Sequence, residues 1–253
     1  MKGPLPLLAI LLLSMALTWA CSPSPAPTLP IPAGLTVEEH ELVGGPTLEP
    51  FGFVPVNGTM EGILGTRAAE RSRHVVQESL FLQGHHALRI PYSGGTLTAM
   101  ESYSPDGSSG SVAVTLGEQE LYRIDIGMAS PITALRGLWA WPAHWAVETD
   151  YFTRESFAGR LSVDGVLVCP AGGCQEAFDF QLMRGRPFYF LERAGTIGFA
   201  FDGQEVILGF DEVPHYQCCS ASVLNPQHAE NMVAFFGRRD RTWYYVEIGA
   251  YGQ

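Results

Sequence analysis

The stretch RPFYFLERAGTIGFAFDGQEVILGFDEV, residues Arg186 to Val213, decides the fold of this 253-residue chain. Ala194-Gly195 and Asp202-Gly203, two turn dipeptides that accept positive φ, divide it into three apolar runs. Within the first two runs, bulky side chains recur at every second position: Phe188, Phe190, Ile197, Phe199 and Phe201. The stretch therefore predicts a three-stranded antiparallel meander with one Phe-rich core face.

Further hairpins are predicted on both sides of this meander. Apolar residues alternate around four short turns, over residues 112–126, 138–148, 160–168 and 232–248. Long helical periodicity is absent, and only Thr66 to Ser72 and Asn225-Pro226 could open short helices. We therefore expect an all-β protein of antiparallel hairpins and meanders, forming a sandwich or barrel-like assembly with few short helices.

Part of the meander resembles a known repeat. Gly195-Thr-Ile-Gly-Phe-Ala-Phe-Asp-Gly-Gln-Glu-Val-Ile, continuing to Phe210-Asp-Glu-Val, resembles the short tryptophan-glycine β repeats of many bacterial proteins. Ile197 stands where the family has its tryptophan. The resemblance covers residues 195–213, supports a β structure there and implies no activity.

The N-terminus has the order of parts of a secretory signal peptide: Lys2, an apolar run from Leu5 to Leu17, and Trp19-Ala20-Cys21. A proline- and serine-rich segment follows, whose composition keeps it extended. This arrangement resembles a bacterial lipoprotein, in which the cysteine matching Cys21 is freed by cleavage and acylated. We expect a signal peptide at 1–20, a tether at 21–34 and extracytoplasmic attachment to a bacterial membrane through lipidated Cys21. An ordinary secreted protein, cut nearby, is the alternative.

The remaining chain is long enough for an N-terminal β region at 35–130 and a C-terminal β region at 131–253, or for one continuous domain. Its formal net charge of −11, with no long basic cluster, argues against nucleic acid or an anionic membrane surface as a partner. The common hydrolase, metalloprotease and nucleotide-binding motifs are absent from the sequence, so we expect no cofactor. The oligomeric state stays open.

Four cysteines remain once Cys21 is assigned to a lipid: Cys169, Cys174, Cys218 and Cys219. An even number in an exported chain indicates disulfides. The pairing is either a local Cys169–Cys174 bridge with a Cys218–Cys219 ring, or two long bridges in one of two arrangements. The alternatives to disulfides are a metal site, in which His215 would join the four thiolates, and free thiols; we expect no metal, because the spacing is not that of a zinc finger.

Three tryptophans are the candidate binding residues. The hairpin Leu138 to Glu148 carries Trp139 and Trp141 on one strand and Trp145 on the next, around a Pro142-Ala143 turn. Residues two apart on a strand share a face, and the turn is expected to return Trp145 beside one of the other two. Three indoles on one face form either part of a core or an exposed platform that stacks on sugar rings or peptide groups.

Two functions follow from these features. The first is a lipid-anchored extracytoplasmic module, more plausibly not an enzyme, with a structural role or a carbohydrate or peptide ligand. The alternative is a cell-envelope glycan hydrolase that uses paired carboxylates, for which the sequence offers Glu148, Asp150, Glu155, Asp202, Asp211, Glu212 and Glu247. The sequence identifies no catalytic residue, and five of its seven histidines, at 85, 86, 144, 215 and 228, are typical of turns and satisfied core positions.

Overall fold

The computed structural model describes residues 30–42, 78–82, 85–154, 156–170, 173–215 and 225–250. These residues form strands and turns, so the predicted all-β class is confirmed. The described part of the chain contains no helix with the length and hydrophobicity that a membrane span needs. Thr66 to Ser72 and residues 1–29, which include Cys21, lie outside the described ranges.

The helix predicted at Asn225-Pro226 is wrong, because a strand follows these residues. The Asn225 side chain receives a hydrogen bond from the backbone N–H of Phe236 (2.6 Å) and donates one to its carbonyl oxygen (3.1 Å). The Asn225 side chain therefore forms hydrogen bonds to a neighbouring strand and does not act as a helix cap.

The strands fall into three sheets. Their bounds are β1 Thr36–Leu42, β2 Glu78–Leu82, β3 His85–Tyr92, β4 Gly95–Tyr103, β5 Gly110–Leu116, β6 Gln119–Gly127, β7 Leu135–Trp141, β8 His144–Phe152, β9 Phe157–Val163, β10 Val166–Leu167, β11 Glu176–Met183, β12 Arg186–Arg193, β13 Thr196–Phe201, β14 Gln204–Phe210, β15 Gln227–Ala229, β16 Met232–Arg239 and β17 Thr242–Gly249.

The largest sheet has nine strands, in the order β10-β9-β8-β6-β5-β4-β3-β2, with β7 paired to β8. Alternate residues of β3 to β8 enclose one apolar core, which includes Leu97, Val112, Ile126 and Leu138. Strand β7 also contacts β3, so it lies across the inner face of the sheet. The sheet continues through the position near residue 130 at which a domain boundary is expected.

The other two sheets pack face to face as a sandwich. One has the order β11-β12-β13-β14 and the other β1-β17-β16-β15. The predicted meander forms β12 to β14, and its phenylalanines pair across strands as Phe188 with Phe201 and Phe190 with Phe199. All four side chains are buried against residues of β16 and β17, including Phe235 and Val246. The Phe-rich face is therefore the centre of the sandwich.

The predicted two-residue turns are present. Asp202 and Gly203 have φ values of 51° and 79°, and Asp164 and Gly165 have values of 50° and 78°. Two consecutive residues at positive φ characterise the type I′ turn, whose twist matches that of a hairpin. These dipeptides thus fix the register of the strands on either side.

Gly203→Val should lower the free energy of unfolding by about 1 kcal/mol or more, because a β-branched residue is strained at positive φ. Urea denaturation measures the change. Gln204→Val, at the next and exposed position in β14, is the matched control and should be nearly neutral. Equal stability of the two variants would contradict a turn that requires glycine.

Candidate functional site

The tryptophan hairpin places its indoles on two faces. Trp141 pairs with His144 across the Pro142-Ala143 turn, so Trp145 pairs with Ala140. Successive residues of a strand point to opposite faces. The expectation that all three indoles share a face is therefore wrong: Trp145, 5% exposed, belongs to the core of the nine-stranded sheet, and Trp139 and Trp141 point to the other side.

Trp139 and Trp141 pack against a strand of the sandwich. Both indoles contact the Phe180 ring of β11, and their centroids lie 4.9 Å (Trp139) and 5.6 Å (Trp141) from the Phe180 centroid. Phe180 in turn stacks with Tyr189 of β12 at 6.4 Å and 14°. These four aromatic side chains join the nine-stranded sheet to the sandwich. Both tryptophans remain partly exposed.

Trp141 also lines a surface cleft of about 470 Å³. The cleft lies between the tips of two hairpins, β3–β4 and β7–β8, and its other lining residues are Pro91, Tyr92, Ser93, Ala140, Pro142 and Ala143. Its lining thus combines two aromatic residues, Tyr92 and Trp141, with Ser93. Aromatic surface with a few polar groups is the usual composition of a small-ligand site.

The Trp141 ring is held from a second direction. The His144 ring packs against it at a tilt of 31°, with a centroid distance of 5.5 Å, and His144 Nδ1 lies 2.7 Å from Asp164 Oδ2. The other oxygen of Asp164 accepts the backbone N–H of Trp145 at 2.9 Å. Asp164, in the turn of the β9–β10 hairpin, thus orients the His144 imidazole next to the cleft.

Glu148, one of the acids considered for catalysis, is enclosed. It lies on β8, and its two oxygens accept the backbone N–H groups of Asp179 (2.6 Å) and Phe180 (2.9 Å). Burial and the negative charge of Asp179 raise the pKa of Glu148 well above its usual value, although the two N–H bonds act in the opposite direction. Glu148 therefore bonds to a neighbouring sheet and is inaccessible to a substrate.

Asp150, two residues further along β8, is fully buried beside Arg136. Arg136 Nε donates to Asp150 Oδ2 at 2.6 Å, and Asp150 Oδ1 has no hydrogen-bond partner among the described residues. Burial raises the pKa of Asp150 to about 6, while the Arg136 bond and charge oppose the rise. A buried acid of this kind affects stability rather than substrate binding.

Two histidines complete this buried polar cluster. His215 stacks on Phe178 at 3.6 Å, and its Nε2 lies 3.0 Å from Glu176 Oε1. Burial acts to lower the pKa of His215, but the hydrogen bond and charge of Glu176 outweigh it and raise the pKa. His228 Nε2 lies 2.6 Å from Asp179 Oδ2.

The other candidate acids have bonds or charged neighbours within the protein. Glu247 accepts the Tyr245 hydroxyl group, Glu212 pairs with Arg238, Asp211 accepts the N–H of Asp240, and Asp202 lies near Arg186. Glu155 lies outside the described residues. None of these acids lines the cleft at Trp141.

Cys169 and Cys174 form the local disulfide, with Cα atoms 5.0 Å apart. This pairing excludes the two long bridges and removes two of the thiolates that a metal site would need. Cys218 and Cys219 lie outside the described ranges, within which no group of three or more His, Cys, Asp or Glu residues could hold a metal ion.

The sequence interpretation missed strand β11 and with it Phe180 and Asp179. Its sequence, EAFDFQLM, alternates Phe178, Phe180 and Leu182, which is a strand signal. The acid between the two phenylalanines marks the bulge, where Asp179 adopts φ 61°. No sequence pattern indicated Tyr92, because its position in the cleft depends on which two hairpin tips meet.

Asp150→Asn should make the stability of the fold less dependent on pH. Since the pKa of Asp150 is raised to about 6, the folded state binds this proton more tightly than the unfolded chain, and stability falls as pH rises from about 4 to 6. Asparagine resembles the protonated acid, so the variant should gain up to about 3 kcal/mol relative to the native protein across that range. Urea melts at pH 4 and pH 7 measure the gain.

Asp240→Asn, in the exposed turn between β16 and β17, is the matched control. If Asp150→Asn changes the free energy of unfolding by the same amount at pH 4 and at pH 7, the raised pKa of Asp150 is contradicted.

No protein-family model, curated protein or solved structure matches this chain. We therefore infer its function from the residues of the chain itself.

Proposed function

We propose that this protein is a lipid-anchored, extracytoplasmic binding module that holds a carbohydrate in the cleft between Tyr92 and Trp141. The observation that carries the proposal is the composition of this cleft: two aromatic residues from separate hairpins, Tyr92 and Trp141, together with Ser93. Sugar rings present apolar C–H faces and polar edges, which match aromatic surfaces and hydrogen-bonding groups respectively.

The support behind Trp141 favours binding over a purely structural role. Phe180 lies against the indole on the inner side, and His144, itself bonded to Asp164, packs against it at a tilt. A ring that is held in place before the ligand arrives loses little conformational freedom on binding. Trp145, by contrast, is buried and contributes to the core alone.

The lipid anchor is supported by the N-terminal sequence: the apolar leader, Cys21 and the proline-rich tether. A flexible tether of this composition would allow the folded part to reach ligands away from the membrane surface. The net charge of −11 suits a neutral ligand better than an acidic one.

The glycan hydrolase with paired carboxylates is the weaker proposal. A glycosidase needs two carboxyl groups that face a substrate across an open cleft. Glu148 and Asp150 are buried and bonded within the protein. Carbohydrate binding without cleavage is therefore the function that the cleft supports best.

Trp141→Ala should weaken retention of the protein on an insoluble polysaccharide about tenfold, equivalent to about 1.4 kcal/mol of binding free energy. Pull-down on peptidoglycan sacculi, chitin and cellulose, with the bound fraction measured against matrix concentration, tests this. Trp243→Ala, which alters a partly exposed tryptophan of β17 in another sheet, is the matched control and should bind as the native protein does. Equal retention of the two variants, or no retention of the native protein on any matrix, would contradict the proposal.

A further inference from the structure

A second cleft, of about 430 Å³, lies near the opposite end of β3 from Tyr92. It is lined by residues of β2, β3 and β4 and by the segment before β7: Ser79, Phe81, His85, His86, Glu101, Tyr103, Ser130, Pro131, Ile132 and Thr133. His86 and Tyr92 are the second and last residues of β3, so strand geometry separates the two clefts by roughly 20 Å. The second cleft is thus distinct from the proposed carbohydrate site.

Four side chains form a continuous hydrogen-bond chain in this cleft. Ser79 Oγ lies 3.1 Å from His86 Nε2, and His86 Nδ1 lies 2.8 Å from Thr133 Oγ1. Thr133 Oγ1 donates to Glu101 Oε1 at 2.7 Å. The chain runs from the exposed edge strand β2 to an acid that is only 4% exposed.

The direction of these bonds determines the tautomer of His86. A threonine hydroxyl group has one hydrogen, and Thr133 gives it to the Glu101 carboxylate. Thr133 Oγ1 must therefore accept from His86, which places the imidazole hydrogen on Nδ1. His86 Nε2 is then left with a lone pair that faces the Ser79 hydroxyl group, the arrangement that a general base requires.

Glu101 is fixed in turn by the fold. Besides the Thr133 hydroxyl group, it accepts the backbone N–H of Leu135 at 2.6 Å. Its position on β4 and its two donors keep the carboxylate directed at Thr133. The acid thus holds the orientation of the imidazole through an intervening hydroxyl group, in the role that an aspartate fills directly in a serine–histidine–aspartate triad.

The geometry points to a nucleophilic site that hydrolyses carboxylic esters, with Ser79 as nucleophile, His86 as general base and acid, and Thr133 and Glu101 as positioning residues. This activity does not depend on the proposed carbohydrate site. The exposed side chains at the rim, Phe81 (78% exposed) and Ile132 (36% exposed), offer an apolar surface for the acyl or alcohol group of the ester.

The reaction balances with water as the only co-reactant. Ser79 Oγ forms a bond to the ester carbonyl carbon as its proton passes to His86 Nε2. The bond between that carbon and the alcohol oxygen then breaks, and the leaving alcohol takes the proton from Nε2. Water attacks the acyl-serine with its proton going to Nε2, and Ser79 Oγ leaves with that proton, so the products are one acid and one alcohol.

Tyr103 also lines this cleft and carries a hydroxyl group that can donate a hydrogen bond. Burial and the negative charges of Glu101 and Asp150 raise the pKa of Tyr103 to about 12, so its phenol keeps its proton at neutral pH. A neutral hydroxyl group can donate a hydrogen bond to the negatively charged oxygen that develops during acyl transfer.

The test uses the purified protein with p-nitrophenyl butyrate as substrate and a fluorophosphonate as covalent probe. We expect hydrolysis above the buffer rate, and labelling of one serine per chain, which peptide mass mapping identifies as Ser79. Ser79→Ala and His86→Ala should each lower kcat/KM at least about a hundredfold. Ser108→Ala, at an exposed loop serine, is the matched control and should retain full activity.

Thr133 tests the positioning role separately. Thr133→Val should lower kcat with little change in KM, and Thr133→Ser should restore kcat, whereas a purely structural bond would affect thermal stability without this difference. The inference is overturned if the folded native protein shows neither hydrolysis above background nor labelling at Ser79, or if Ser79→Ala hydrolyses the ester at the native rate. The labelling result requires no variant, so it holds even if a substitution prevents folding.

Discussion

The contact between the nine-stranded sheet and the sandwich depends on two hydrogen bonds, which the bulge of β11 donates to Glu148. The register of β11 with β12 shifts between Phe178 and Gln181, which takes the N–H groups of Asp179 and Phe180 out of the strand ladder. A buried N–H group without an acceptor costs about 1–3 kcal/mol. Glu148, from β8 of the nine-stranded sheet, accepts both.

This contact brings the aromatic side chains together. With the bulge held against β8, Phe180 reaches Trp139 and Trp141 on β7, and His228 from the third sheet reaches Asp179. The orientation of Trp141 in its cleft therefore follows from a polar contact between strands far apart in sequence. Removing one partner of such a buried network is strongly destabilising, because the groups left behind are buried without a hydrogen-bond partner.

Local sequence signals predicted the meander and its turns. Asp202-Gly203 and Asp164-Gly165 determine hairpins within a few residues, and the period-two phenylalanines identify the buried face. Long-range pairings were not accessible in this way. The chain from Ser79 to Glu101 requires Thr133 to approach β3 and β4. The face that Trp145 occupies is a local matter, because the two-residue Pro142-Ala143 turn pairs Trp145 with Ala140 and so places it on the face opposite Trp141.

Hydrogen–deuterium exchange at the amides of Asp179 and Phe180 tests the central contact most directly. If Glu148 accepts both N–H groups, the two amides should exchange as slowly as those of the central strands β12 and β13, although they lie in a bulge. Replacing Glu148 with leucine should selectively accelerate hydrogen exchange at the amides of Asp179 and Phe180. Exchange of these amides in the native protein at the rate of an unfolded chain would contradict the proposed joining of the sheets.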